Sequence, residues 1–182
     1  MKKVIILSLV ALFAISFNAD AQNCNQGKKL AQKTWQKFNK PWKVNINPIA
    51  YATGVKAIKT GWNAIAANSG AAIGPRFLDT DGSKQTGSVS GQTKRTFVTP
   101  PSFNKKMTIT INKYQGKAET GVIICSHDEQ GRTKTLREYT FKKDKNGKVK
   151  KFELNNVKGK IISVAIRNRS VANKFKYRVT AK

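Results

Sequence analysis

The sequence predicts a mainly β protein: an antiparallel β-sandwich, jelly-roll-like, with an N-terminal helical segment. Three observations carry this. From residue 77 onward, apolar residues alternate with Thr, Lys, Arg and Asn at a period of two, the spacing that lines one face of a strand. Glycines and an Asn-Gly pair punctuate that alternation, as turns between short strands require. Between residues 22 and 76 the apolar period is instead close to that of a helix, and Asp and Glu are absent.

The chain divides into residues 1–21, 22–76 and 77–182. The opening "MKKVIILSLVALFAISFNADA" sets Lys2 and Lys3 before an apolar run and ends on Ala19-Asp20-Ala21. This is the pattern of a bacterial-type signal peptide cleaved after Ala21, and the run is too short to span a bilayer comfortably. The expected destination is secreted or periplasmic. Disulfides persist there. Cys24 and Cys125 are the only cysteines, so two readings stay open. They pair and tie the N-terminal segment to the body, or both are thiols, with Cys125 buried in a strand.

In the second region, "KKLAQKTWQKFNKPW" interleaves lysine with Leu30, Trp35, Phe38 and Trp42 at loosely helical spacing, until Pro41 breaks it. Asn47-Pro48 then reads as a helix start. Tyr51, Val55, Ile58, Trp62 and Ile65 follow at steps of four and three, one face of a helix over 49–67. In the third region, strands are expected over 88–90, 95–99, 106–113, 117–127, 134–141, 149–155, 161–168 and 174–180. Met107, Ile109 and Ile111 give one clear alternation, and Phe175, Tyr177 and Val179 another. Asn146-Gly147 predicts a hairpin between the fifth and sixth of these strands, 134–141 and 149–155.

Within residues 95–181, "RTFVTPPSFNKKMTITI", "GKAETGVIICSHDEQG" and "NKFKYRVTA" follow one another in an order that resembles the pre-peptidase C-terminal type of secreted β-sandwich. The resemblance implies a sandwich fold and a non-catalytic accessory role beside secreted hydrolases. The chain departs from that type in its strongly positive charge and in having no catalytic domain beside the sandwich.

Residues able to carry catalysis are sparse. His127 is the only histidine and, on a strand, shares a face with Cys125, the geometry of a Cys–His nucleophile pair. Its place at a strand end entering the 128–131 turn suits a plain turn residue better. Cys125, His127 and Asp128 fall short of a tight zinc site, and Asp79 and Asp81 lack the later acidic ligand of a calcium loop. No metal or cofactor is expected, and no enzyme. The sign of an enzyme would be a cleft gathering His127 with a carboxylate.

Charge is the strongest signal. The 182 residues hold 35 Lys and Arg against 9 Asp and Glu, a formal +26. Loss of Lys2, Lys3 and Asp20 on export leaves +25, where roughly 2–8 suffices for the solubility of a small domain. Lysine outnumbers arginine 28 to 7, which favours diffuse attraction over sequence-specific reading. The expected contacts are Lys142, Lys143, Lys145, Lys148, Lys150 and Lys151 on the hairpin, with Arg167, Arg169, Lys174 and Lys176 near the end. Lys105, Lys106, Lys113 and Lys117 form a further run. The sequence thus predicts a non-catalytic cationic binder of anionic polysaccharide, lipopolysaccharide or extracellular nucleic acid. The alternative is a membrane-active protein, with Trp35, Phe38 and Trp42 making peripheral contact with an anionic bilayer.

Overall fold

The structure, a computed structural model, describes residues 24–34, 76–143 and 147–182. The signal segment, the expected helix over 49–67 and the aromatic set Trp35, Phe38 and Trp42 lie outside the described residues. So do Lys145 and the Asn of the Asn-Gly pair.

Residues 24–34 form a helix, α1. The strands are β1 (Arg76–Phe77), β2 (Gln85–Val89), β3 (Lys94–Val98), β4 (Lys106–Gln115), β5 (Thr120–His127), β6 (Thr133–Phe141), β7 (Lys148–Asn155), β8 (Ile161–Asn168) and β9 (Phe175–Ala181). Each of the eight expected strands is present. The two-residue β1, which adds in parallel to β3, is too short to leave a periodic trace in the sequence.

The strands make two sheets, ordered β1-β3-β8-β5-β6 and β2-β9-β4-β7. Apart from β1, neighbouring strands are antiparallel. Every connection from β2 to β9 crosses between the sheets except that between β5 and β6, which gives the two interlocked Greek keys of a jelly roll. The predicted period of two is what fills the space between the sheets. Met107, Ile109 and Ile111 of β4, with Phe175, Tyr177 and Val179 of the neighbouring β9, share one core with Val122 and Ile124 of β5 and Ile162, Val164 and Ile166 of β8 in the other sheet. Phe97 and Tyr177 meet edge to face, with ring centroids 5.7 Å apart.

The pattern on β5 and β8 is different. Both read as nearly unbroken buried runs, because their outer face is covered too. Helix α1 lies on it. Cys24, Gly27, Leu30, Ala31 and Thr34, at helical spacing, form its buried stripe. Leu30 and Ala31 join Phe77, Val98 and Ile161 in a second small core on this side. Gly27 sits so close to the sheet that a side chain there would collide with Ser163, the nearest atom 2.2 Å from an added Cβ. A disulfide between Cys24 and Cys125, one of the two arrangements the sequence left open, fixes the start of α1 to β5.

One expectation about connectivity is corrected. The expected strands over 134–141 and 149–155 are β6 and β7, and they do not form a hairpin: β6 is the edge of one sheet and β7 the edge of the other. Gly147 does turn with a left-handed φ of 71°. The apolar alternation of β7 nevertheless places Phe152 and Leu154 opposite Ile109 and Met107 of β4, so burial of those side chains selects the partner over the local turn.

The disulfide closes a loop of 101 residues. Replacing both cysteines by serine is expected to lower the unfolding free energy by about 2–4 kcal/mol, read from urea denaturation midpoints. An unchanged midpoint would mean that the packing of α1 alone fixes it to the sheet.

Candidate functional site

The jelly-roll wiring gathers the connections at two ends of the sandwich. One end holds residues 90–93, 116–119, 142–147 and 169–174. The other holds 78–84, 99–105, 128–132 and 156–160, with the C-terminal Lys182. Among the described residues, the first set carries Lys117, Lys142, Lys143, Arg169 and Lys174 against one carboxylate, Glu119. The second carries Lys84, Lys105, Arg132, Lys158, Lys160 and Lys182 against Asp79, Asp81, Asp128 and Glu129. Positive charge is therefore most weakly compensated at the first end.

Two buried polar side chains hold that end together. Lys113, fully buried on β4, donates from Nζ to the carbonyl oxygens of Ala118, Lys142 and Lys143. An ammonium has three N–H donors, and burial makes each unmet one costly. Satisfying them pulls the 116–119 and 142–147 connections onto one point. Asn168, also fully buried, donates from Nδ2 to the carbonyls of Val89 and Asn173, while its Oδ1 accepts from the Ser170 amide. Ser170 in turn accepts the Glu119 amide on its hydroxyl, and the Arg169 amide donates to the Glu119 carbonyl. All four connections at this end are thereby joined.

The residues expected to bind anions are distributed as follows. Lys142 and Lys143 are exposed on the basic end. Lys148 opens β7, directly opposite Lys113. Lys150 lies on the core-facing side of β7, its ammonium 5.0 Å from the Tyr139 ring centroid, where its stem covers the open edge of the sandwich. Lys151 points to the other side, beside Thr110. The expected lysine finger is therefore split, because alternate residues of a strand face opposite ways. Arg167 and Arg169 belong to the five-stranded sheet and the loop after it. Lys176 points outward from the four-stranded sheet beside Ser88, and Lys174 is exposed in the preceding loop. The run from Lys105 to Lys117 is divided as well. Lys105 and Lys106 sit at the far end and Lys113 is buried.

Sequence reasoning missed Lys94. It is paired across the sheet with Arg167, which is paired in turn with Gly121 of β5. Burial first, and the Arg167 charge second, hold the Lys94 ammonium below its ordinary range. Only the strand register reveals this like-charge row, and register is not legible in a single sequence.

The far end contains the cleft that was named as the sign of an enzyme. A groove of about 370 Å³ between α1 and the 128–132 turn is lined by Lys28, Gln32, His127, Asp128 and Glu129, among others. His127 is 1% exposed and bonded on both ring nitrogens, Nε2 to the Ser163 hydroxyl at 2.7 Å and Nδ1 to the Thr133 hydroxyl at 3.0 Å. Burial and the Lys28 charge lower its pKa to about 4, against an opposing pull from Asp128. Asp128 is engaged by Arg132 at 2.6 Å. Ser163 lies under Gly27, so close that a side chain there would meet its hydroxyl. The Cys125 sulfur is consumed by the disulfide. Among the described residues no group of three or more His, Cys, Asp and Glu could hold a metal, and no helix is long and apolar enough to cross a membrane.

No protein-family model matches the chain, and no curated protein does. Solved structures match about half of the chain at low identity. A Yersinia pseudotuberculosis-derived mitogen is 13% identical, covering 54% of this chain and 83% of its own, with a TM-score of 0.41. A family 16 carbohydrate-binding module is 13% identical over 52% of this chain and 74% of its own, TM-score 0.35. The K3 adhesin domain of Lys-gingipain from Porphyromonas gingivalis is 10% identical over 54% and 71%, TM-score 0.38. Likenesses of this degree carry no statement about ligand or activity.

Two tests follow. An unfolded imidazole takes up its proton near pH 6.5, the buried one only near pH 4. The unfolded state thus binds more protons in this window, so stability is full above it and falls as pH drops through it, by about 3 kcal/mol in all. Denaturation at a series of pH values should show this slope and lose it in His127→Gln; an equal slope in the variant would assign it to other groups. Lys113→Met should cost about 2–3 kcal/mol by leaving buried carbonyls unmet, with faster proteolysis at 116–119 and 142–147. Unaltered proteolysis there would show that the ammonium does not position those loops.

Proposed function

We propose that this chain is a secreted, non-catalytic binding protein that attaches to anionic polymers through the basic end of its sandwich. The observation that carries the reading is the convergence, at one end, of loops far apart in sequence that bear Lys117, Lys142, Lys143, Arg169 and Lys174 around one described carboxylate. Keeping like charges together costs free energy that a bound polyanion recovers, with counterions released into bulk solvent. Surface lysines also keep sheet edges from pairing with other chains, but that need does not call for a gathering at a loop-covered end.

Acidic polysaccharide is the partner class proposed first, with lipopolysaccharide phosphates and extracellular nucleic acid as competitors. The disulfide suits an oxidising compartment outside the cytoplasm. The burial of Ser163 and His127 beneath α1, and of the Cys125 sulfur in a disulfide, supports a role without catalysis.

Retention on heparin across a salt gradient tests this. The chain should elute late, and replacing Lys117, Lys142, Lys143 and Lys174 by Gln should bring elution forward. The salt slope of binding should fall by roughly one unit per contact removed. Replacing Lys84, Lys105, Lys158 and Lys182 at the far end removes the same charge and should leave most of the slope. Equal losses in the two sets would mean that net charge, and no particular face, governs binding.

A further inference from the structure

On the outer face of the five-stranded sheet, next to the basic end, three cations lie in one cross-strand row. Lys94 of β3 is paired with Arg167 of β8, and Arg167 with Gly121 of β5. Adjacent strands are about 4.8 Å apart, so the row is narrow. Gly121 has no side chain, and the guanidinium of Arg169 occupies the vacated space. A Cβ at Gly121 would come within 2.9 Å of Arg169 Nε and 3.4 Å of Cζ and Nη2. Arg167 and Arg169 remain exposed, while Lys94 is half-buried. Arg169 makes a single long ion pair, Nη1 to Glu119 Oε1 at 3.4 Å, between side chains 51% and 45% exposed. Such a pair is weak and readily exchanged. The backbones on which it depends are fixed, since the Arg169 amide donates to the Glu119 carbonyl at 2.9 Å.

We propose that Lys94, Arg167 and Arg169, arranged over Gly121, form a defined oxyanion subsite that takes the acidic group of a polysaccharide, with Glu119 as its internal competitor. This rests on the anionic-polymer reading and gives it a point of recognition. Most of the surplus charge is lysine, which attracts without orienting. Guanidinium groups present fixed planar forks that match carboxylate and other oxyanions in two-point contacts. Two of the seven arginines are brought together here, and their forks supply the orientation that the lysines cannot. A polysaccharide is favoured over single-stranded nucleic acid because no described aromatic side chain flanks the row to stack on bases. Tyr114, the exposed aromatic among the described residues, belongs to the other sheet.

The test is calorimetric titration of the full chain with polygalacturonate, which carries only carboxylates, and dextran sulfate, which carries only sulfates. Arg167→Gln and Arg169→Gln should each weaken binding about tenfold, the loss expected for a charge-assisted two-point contact. Glu119→Gln should strengthen it about twofold, as release of a weak surface pair allows. Gly121→Ala removes no charge yet displaces the Arg169 guanidinium, and should weaken binding about threefold. The charge-matched pair Lys105→Gln and Lys158→Gln at the far end should change it by less than about twofold. A stronger dependence on these variants with polygalacturonate assigns the subsite to carboxylate; a stronger one with dextran sulfate assigns it to sulfate. Unchanged affinity in Gly121→Ala, or equal losses in the far-end pair, would overturn the subsite while leaving diffuse polyanion binding intact. Tighter binding to duplex DNA, with the same variant profile, would overturn the polysaccharide assignment. No binding to any polyanion would overturn the underlying reading itself.

Discussion

A lysine buried at one end of a β-sandwich dictates what surrounds it. The ammonium of Lys113 cannot stay there without acceptors, and it takes them from the backbone of Ala118, Lys142 and Lys143. Those carbonyls belong to two of the connections that bear the most positive charge. Asn168 draws a third connection into the same cluster through Val89, Asn173 and Ser170. Buried hydrogen bonds thus hold together loops whose side chains repel one another. The exposed charges are screened by salt, whereas the buried bonds are not, so the arrangement stands at ordinary ionic strength.

The two ends of the molecule are built for different physical tasks. At the far end, carboxylates and cations are closer to balance, and Asp128 and Arg132 neutralise each other in a turn. There the disulfide, the Gly27 contact and a neutral His127 join α1 to the sheet. That histidine beside carboxylates would suggest catalysis if seen in outline. It is buried, bonded to two hydroxyls and held at a depressed pKa, and it links helix and sheet; the proposed reading takes that link as its role. At the basic end, cations outnumber partners and face solvent. In the proposed reading that surplus attracts an oxyanion polymer, and Arg169 over Gly121 with Arg167 beside it orients the contact.

Much of the fold was legible because burial on a sandwich face imposes alternation. Met107, Ile109, Ile111, Phe175, Tyr177 and Val179 showed their strands, and all of them lie in the core. The connection through Asn146-Gly147 was misread. A turn signal is local, whereas the choice of sheet is made by where Phe152 and Leu154 find cover. The same limit applies to the site. Runs of basic residues were visible, but a strand sends neighbours to opposite faces, which separated Lys150 from Lys151, and the connection from β8 to β9 crosses between the sheets, which parted Arg167 from Lys176. The row joins Lys94 to Arg167 and Arg169, 73 and 75 positions further on, through a register that only pairing in space establishes. Lys113 read as one more surface cation because nothing local marks a lysine whose partners are backbone carbonyls 5 to 30 residues away.

The central claim is that an oxyanion polymer meets this protein at the row over Gly121 and the loops beside it. Amide chemical shifts recorded during titration with short oligogalacturonates address that claim without altering the protein. The account predicts that the first and largest changes fall on Lys94, Glu119, Gly121, Arg167 and Arg169, then spread to 142–143 and 174. Changes centred on α1 and the 128–132 turn, or scattered evenly over both ends, would contradict it.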